Sequence, residues 1–262
     1  MLKISQSLAV IFFFSVIASA EKHPTGFLKR AITLDNTTYK YQVFVPSNWD
    51  SQRKWPVILF LHGAGERGTD GRAETKIGIG HAIREHAQDF PFVVVMPQCP
   101  KNQVWTDAKM QELALAALDR EVRELSGDPE RIYLTGISMG GYGTWELAAN
   151  YPRRFAAYVP VCGGIHGPKE FPEMTVTLAR NRSNDPYAET ANRVGKVPVW
   201  IFHGDSDDTV SVEESRNMNA ALHSAGGDVR YTEYPATGHF LEKAYSEPGL
   251  WNWLLQQHLP KR

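Results

Sequence analysis

The chain has 262 residues, 42% hydrophobic and 22% charged, a formal net charge of −1 and two cysteines. These values exclude disordered, collagen-like and disulfide-dense chains, and near-neutral charge argues against nucleic-acid binding by phosphate neutralisation. The length fits one large domain or two small ones, and it suffices for a sizeable core.

The first segment reads as an export signal. Lys3 sits in a short polar start, residues 8–17 are apolar, and Ala18-Ser19-Ala20 supplies the small residues read by signal peptidase. The apolar run is shorter than the roughly 20 residues a bilayer span takes, so a membrane anchor is disfavoured. Residues 1–20 are therefore expected to be a cleaved signal peptide, and residues 21–262 a secreted or periplasmic chain without a stable membrane anchor. Export permits one disulfide between Cys99 and Cys162, although two buried thiols satisfy the sequence equally well.

The remainder alternates between two periodicities. Residues 27–34 and 39–45 alternate apolar and polar around Asp35-Asn36-Thr37-Thr38, a hairpin signal. Residues 56–61 (PVILFL) and 92–96 (FVVVM) read as strands buried on both faces. Between them, residues 77–88 are weakly helical. Residues 110–125 carry apolar positions at helical spacing and stop at Gly127 and Pro129. Strands are expected over 131–137, 156–161, 199–202 and 229–234. Helices are expected over 140–150, 212–225 and 241–258. Residues 163–198 show no clear period and are expected to wall the pocket above the sheet. The series predicts an α/β fold: a mostly parallel central sheet with an antiparallel N-terminal hairpin and helices on both faces, as one domain.

Three short motifs carry the chemistry. Gly136-Ile137-Ser138-Met139-Gly140 is a G-x-S-x-G sequence placed where a buried strand turns into a helix. A tight turn there needs flanking residues without side chains. It projects the serine hydroxyl above the sheet, beside a helix N-terminus that favours negative charge. The alternative, a phosphate-binding glycine turn, lacks the G-x-x-x-x-G-K-[ST] pattern.

The second motif runs from His203 to Val210 (HGDSDDTV) at the end of a buried strand. A carboxylate at this edge can orient a histidine, and Asp205, Asp207 and Asp208 compete for that role. A calcium loop is the other reading of such a cluster, but the EF-hand glycine and terminal glutamate are absent. The third motif, Ala236-Thr237-Gly238-His239-Phe240, puts a histidine on the loop after the last strand. There it can act as general base and then general acid. Serine, aspartate and histidine in that order, each after a successive strand, is the α/β-hydrolase order. Leu61-His62-Gly63-Ala64-Gly65 ends the first central strand. The backbone N–H groups of Ala64 and Met139 are the natural oxyanion donors. His62 precedes the serine and stands in the wrong order for a base, so it is expected to brace the loop. Glu66 and Arg67 are expected to pair locally.

With these residues in place, the chain resembles the α/β-hydrolase esterases of the phospholipase/carboxylesterase type. Within them it is most similar to the bacterial group labelled "predicted peptidase" or prolyl-oligopeptidase-like esterase. The resemblance rests on LHGAGERGTDG from Leu61, VVVMPQCP from Val93, the long stretch from Arg131 to Gly164, PVWIFHGDSDDTV from Pro198 and TEYPATGHF from Thr232. It implies Ser138 as nucleophile, His239 as base and, in H-G-x-x-D-x-x-V, Asp207 as the acid. Two departures stand out: Asp208 occupies a position often held by proline, and Phe240-Leu241 follows the histidine where relatives often place a tryptophan a few residues on.

The expected function is a serine carboxylesterase acting through an acyl-enzyme, with no cofactor and no metal. Its substrates are short-chain or soluble acyl esters, small molecules or polysaccharide-linked, with Trp105 or Trp145 as candidate aromatic contacts. A peptidase on the same residues is the first alternative, but 242 mature residues leave no room for the large filtering domain of prolyl-oligopeptidase relatives. An inactive binding protein on a hydrolase scaffold is the second. Ester and amide substrates, tried with and without Ser138, separate the three.

Overall fold

A computed structural model describes residues 23–259; the signal-peptide expectation for residues 1–20 lies outside the described residues. The chain opens with an antiparallel pair, β1 (Gly26–Leu34) and β2 (Thr37–Val45), in which Leu34 partners Thr37. The connection is shorter than the four residues expected. Asp35 and Asn36 both take left-handed φ angles, 45° and 63°. Such a two-residue turn matches the right-handed twist of the flanking strands, and Asp and Asn tolerate the conformation.

Six further strands complete one sheet: β3 (Trp55–Leu61), β4 (Val93–Pro97), β5 (Gly127–Ile137), β6 (Ala157–Val161), β7 (Val199–Gly204) and β8 (Val229–Tyr234). The spatial order is β1-β2-β4-β3-β5-β6-β7-β8. β1, β2 and β4 meet antiparallel, and every later pairing is parallel. This is the α/β-hydrolase fold.

The strand runs are apolar throughout because both faces are covered. In β3, Val57, Leu59 and Leu61 point into one core and Ile58 and Phe60 into the other, as the two-residue period requires. On the first face lie α2 (Ala108–Glu124), α3 (Met139–Asn150), α5 (Pro186–Val194) and α6 (Val212–Ser224), which contribute Met110, Leu113, Trp145, Val194 and Met218. On the second lie α1 (Ile79–Glu85) and α7 (Leu250–Leu255), with Ile83, Trp253 and Leu254.

Two expectations are corrected. The stretch 163–198 contains a short helical turn, α4 (Thr177–Arg180), and the nine-residue α5. Asp185 caps α5 by accepting the Ala188 N–H at 2.9 Å, and Pro186 opens it where no N–H is needed. The helix expected over 241–258 is broken. A 3-10 turn (Glu242–Ser246) ends before Pro248, which forces Glu247 into an extended conformation, and Gly249 at φ 86° starts α7 afresh. Cys99 and Cys162 are both buried and unbridged, and they follow β4 and β6, which are not neighbours.

Candidate active site

Ser138 stands between β5 and α3 with φ 56° and ψ −118°. A non-glycine residue is strained there, at a cost on the order of 1–3 kcal/mol, and the surroundings must hold it. Its N–H donates to Val161 O at 2.9 Å, and its carbonyl accepts from Gly141 N at 2.7 Å and Tyr142 N at 3.1 Å. The glycines allow this close approach. A Cβ on Gly136 would overlap the carbonyl of Gly140, and one on Gly140 would overlap the carbonyl of Leu61. The helix start is thereby pressed onto the end of β3.

Ser138, His239 and Asp207, which are far apart in sequence, form one hydrogen-bonded chain. Ser138 Oγ donates to His239 Nε2 at 2.8 Å, and His239 Nδ1 donates to Asp207 Oδ2 at 2.7 Å. The Asp207 side chain is fully buried and that of His239 is 15% exposed. Asp207 Oδ1 accepts the N–H groups of Thr209 (2.9 Å) and Val210 (2.8 Å). Burial alone would push the Asp207 carboxyl upward, but hydrogen bonds from His203, His239 and Val210 outweigh it and hold the group well below the usual carboxylate range. The other aspartates face elsewhere: Asp205 accepts from the Ser206 hydroxyl, and exposed Asp208 from that of Thr209. The carboxylates of this loop do not converge on a common point as a calcium loop would require.

Gly63 lies against the serine; a Cβ built on it would come 3.8 Å from Ser138 Cβ. Among the described residues, neither the Ala64 nor the Met139 N–H donates to a protein group. His62 braces this loop as expected. Its Nε2 accepts Cys99 N–H at 3.0 Å, its Nδ1 donates to Gly63 O at 2.6 Å, and burial lowers its pKa to about 4. The expected Glu66–Arg67 pair is absent. Arg67 Nε donates instead to Ala64 O at 3.1 Å, and Glu66 Oε2 is buried without a partner, which pushes its carboxyl upward.

Residues 33–259 match the family described as "Putative esterase". The chain belongs to the esterase family. Among solved structures, a thermostable esterase is 31% identical, with a TM-score of 0.72 over 88% of this chain and 63% of its own. An uncharacterised secreted protein of Arthroderma benhamiae is 29% identical over 74% of this chain and 22% of its length. The bifunctional acetylxylan esterase/xylanase XynS20E of Neocallimastix patriciarum is 26% identical over 74% of this chain and 26% of its length. The chain therefore spans about a quarter of these two relatives and under two thirds of the thermostable esterase.

Five further residues differ from expectation or were missed. Trp105 and Trp145 are buried, so neither presents a ring to a substrate. An exposed aromatic, Phe240, is 90% accessible and lies beside His239. Cys162 closes the floor of the site: it is buried, takes a left-handed φ of 38°, and its thiol donates to His239 O at 3.6 Å. His203 touches Asp207, and only its place in H-G-x-x-D signalled it.

Among the described residues no helix is long and apolar enough to cross a membrane.

Proposed function

We propose that the protein is an exported carboxylic ester hydrolase in which Ser138 is the nucleophile, His239 the general base and acid, and Asp207 the orienting carboxylate. The observation that carries the reading is the unbroken chain Ser138 Oγ–His239 Nε2–His239 Nδ1–Asp207 Oδ2, at 2.8 Å and 2.7 Å, rooted in a strained strand–helix turn.

The chemistry follows from that arrangement. Ser138 Oγ attacks the ester carbonyl carbon while His239 Nε2 takes its proton. Negative charge moves to the carbonyl oxygen, where the N–H groups of Ala64 and Met139 receive it. Collapse expels the alcohol, which leaves with the proton from His239. Water then attacks the acyl-enzyme as His239 Nε2 takes its proton; collapse releases the acid, and His239 returns the proton to Ser138 Oγ. Asp207, whose hydrogen bonds favour the ionised form, stabilises the imidazolium in both halves.

The substrates proposed are short or soluble acyl esters, including esters carried on polysaccharide. Two observations support this: the similarity to an acetylxylan esterase, and the exposed Phe240 ring next to His239. Residues 21–262 are proposed as one domain, supported by the single sheet that takes strands from both ends of the described chain. Export is supported by the residue 1–20 pattern and by a secreted relative.

Hydrolysis of a p-nitrophenyl ester series, acetate to decanoate, by the parent and Ser138→Ala tests the reading. Turnover abolished in the variant supports it. Equal turnover in both removes Ser138 from the chemistry, and a folded parent inactive on every ester but active on peptide amides replaces esterase by peptidase.

A further inference from the structure

We propose that His203, aimed by Ser215, is a positioning residue that shares the Asp207 carboxylate with His239 and thereby sets the basicity of His239. The inference rests on the esterase reading above and adds a residue pair to it.

His203 is fully buried at the end of β7. Its Nε2 lies 3.2 Å from Asp207 Oδ2 and 3.0 Å from Val210 O. Both neighbours are acceptors, so Nε2 carries a hydrogen; it donates this to Val210 O, and the N–H dipole stands beside the carboxylate. The same Oδ2 takes the His239 Nδ1–H at 2.7 Å. The Asp207 oxygen that accepts the His239 N–H thus also has the His203 Nε2–H beside it at 3.2 Å. On the far side of the ring, Nδ1 lies 2.7 Å from the hydroxyl of Ser215. Ser215 is a buried polar residue on the inner face of α6, where its helix neighbours Met218 and Leu222 are apolar. A buried hydroxyl in such a place is retained for a partner, and here the partner is His203.

The chain Ser215–His203–Asp207–His239–Ser138 crosses the sheet edge from α6 to the nucleophile. Its effect follows from shared charge. The positive end of the His203 N–H, 3.2 Å from Oδ2, offsets part of the negative charge that stabilises the His239 imidazolium. Removing that N–H leaves the full charge to His239 and makes it more basic. The base then stays protonated, and idle, to a higher pH.

Other ionisable groups face this cluster without changing charge over the range concerned. Cys162 just after β6 and Tyr142 from α3 are pushed far upward by burial and stay neutral. Glu233 on β8, opposite His203, is held by Arg216 at about 2 and stays ionised.

The test measures kcat/KM against pH on a p-nitrophenyl ester for the parent, Ser215→Ala, His203→Phe, His203→Gln and Ser138→Ala. In His203→Phe the acid limb is expected to move up by about half a pH unit and plateau kcat to fall about tenfold, the scale of one lost hydrogen bond to a charged group. Ser215→Ala, which removes one oxygen and keeps a good helix former, is expected to move the limb the same way by less. His203→Gln, which keeps an N–H donor toward Asp207, is expected to return the limb toward the parent.

A limb that stays put in folded Ser215→Ala, whatever happens to amplitude or Tm, while His203→Phe also shows no shift or does not fold, overturns the inference and leaves His203 as a core residue. Activity surviving in Ser138→Ala would instead overturn the esterase reading. A silent Ser138→Ala with an unmoved limb removes only the present inference.

Discussion

His62 Nε2 accepts the backbone N–H of Cys99 at 3.0 Å, tying the end of β3 to the end of β4 directly beneath the loop that carries Ala64. The bond needs a neutral imidazole, and burial lowers the His62 pKa to about 4 from an ordinary 6.5. The unfolded chain therefore takes up a proton before the folded one does. Stability from this group is complete above pH 6.5 and is lost as pH falls from 6.5 to 4, by on the order of 3 kcal/mol. In His62→Gln this contribution disappears. Urea unfolding at pH 7 and pH 4.5 checks it: the variant's deficit relative to the parent is expected to be larger at pH 7.

Glu74 acts in the opposite direction over nearly the same range. It is fully buried, both carboxylate oxygens lack a partner, and burial raises its pKa to about 7 from 4.5. Its neutral form suits the fold, so its stability is complete below pH 4.5 and lost as pH rises to 7, again by on the order of 3 kcal/mol. The two groups offset each other, which flattens the parent's profile between pH 4.5 and 6.5. Glu74→Gln is expected to be more stable than the parent at pH 7 and close to it at pH 4.5, measured by the same unfolding series. Equal offsets at both pH values would mean that Glu74 is ionised in the fold.

Asp207→Asn is expected to lower kcat by on the order of 10⁴, because the amide no longer holds His239 in the tautomer that presents Nε2 as acceptor to Ser138. Asp208→Asn and Asp205→Asn are expected to stay within about threefold of the parent, since surface changes away from a site have small effects. Their side chains contact Thr209 and Ser206 rather than His239. Steady-state kinetics on p-nitrophenyl acetate decides between the three.

Gly140→Ala is expected to destabilise by more than about 3 kcal/mol, or to abolish folding. The added methyl would overlap the Leu61 carbonyl, and that backbone is held in the sheet between β4 and β5. Gly65→Ala, where a Cβ meets nothing within 4 Å, is the control and is expected to fold as the parent does. Circular dichroism and thermal unfolding distinguish the pair.

Features read correctly from sequence share a local cause. The continuous apolar runs of β3 and β4 follow from strands buried on both faces, and the elbow at Ser138 from glycines whose spacing a tight turn demands. Pro186 after Asp185 is an equally local helix start and lay in plain view within 163–198, but the surrounding polar residues masked it. Pro248-Gly249 likewise marked the break in the last helix, and the apolar residues on either side obscured it.

The sequence by itself determined the order of the strands, the position of the serine at the elbow, and the candidates that follow the later strands. Each of these depends on residues within one or two turns of one another. Only the tertiary structure decided which of three neighbouring aspartates meets His239, because that depends on contact across 32 positions. The same holds for the neutral state of His62, set by burial and by a backbone N–H 37 positions away, and for the joining of His203 and Ser215 to the site. A carboxylate's role and a histidine's charge are properties of desolvation and hydrogen-bond partners, and those exist only once distant segments have packed together.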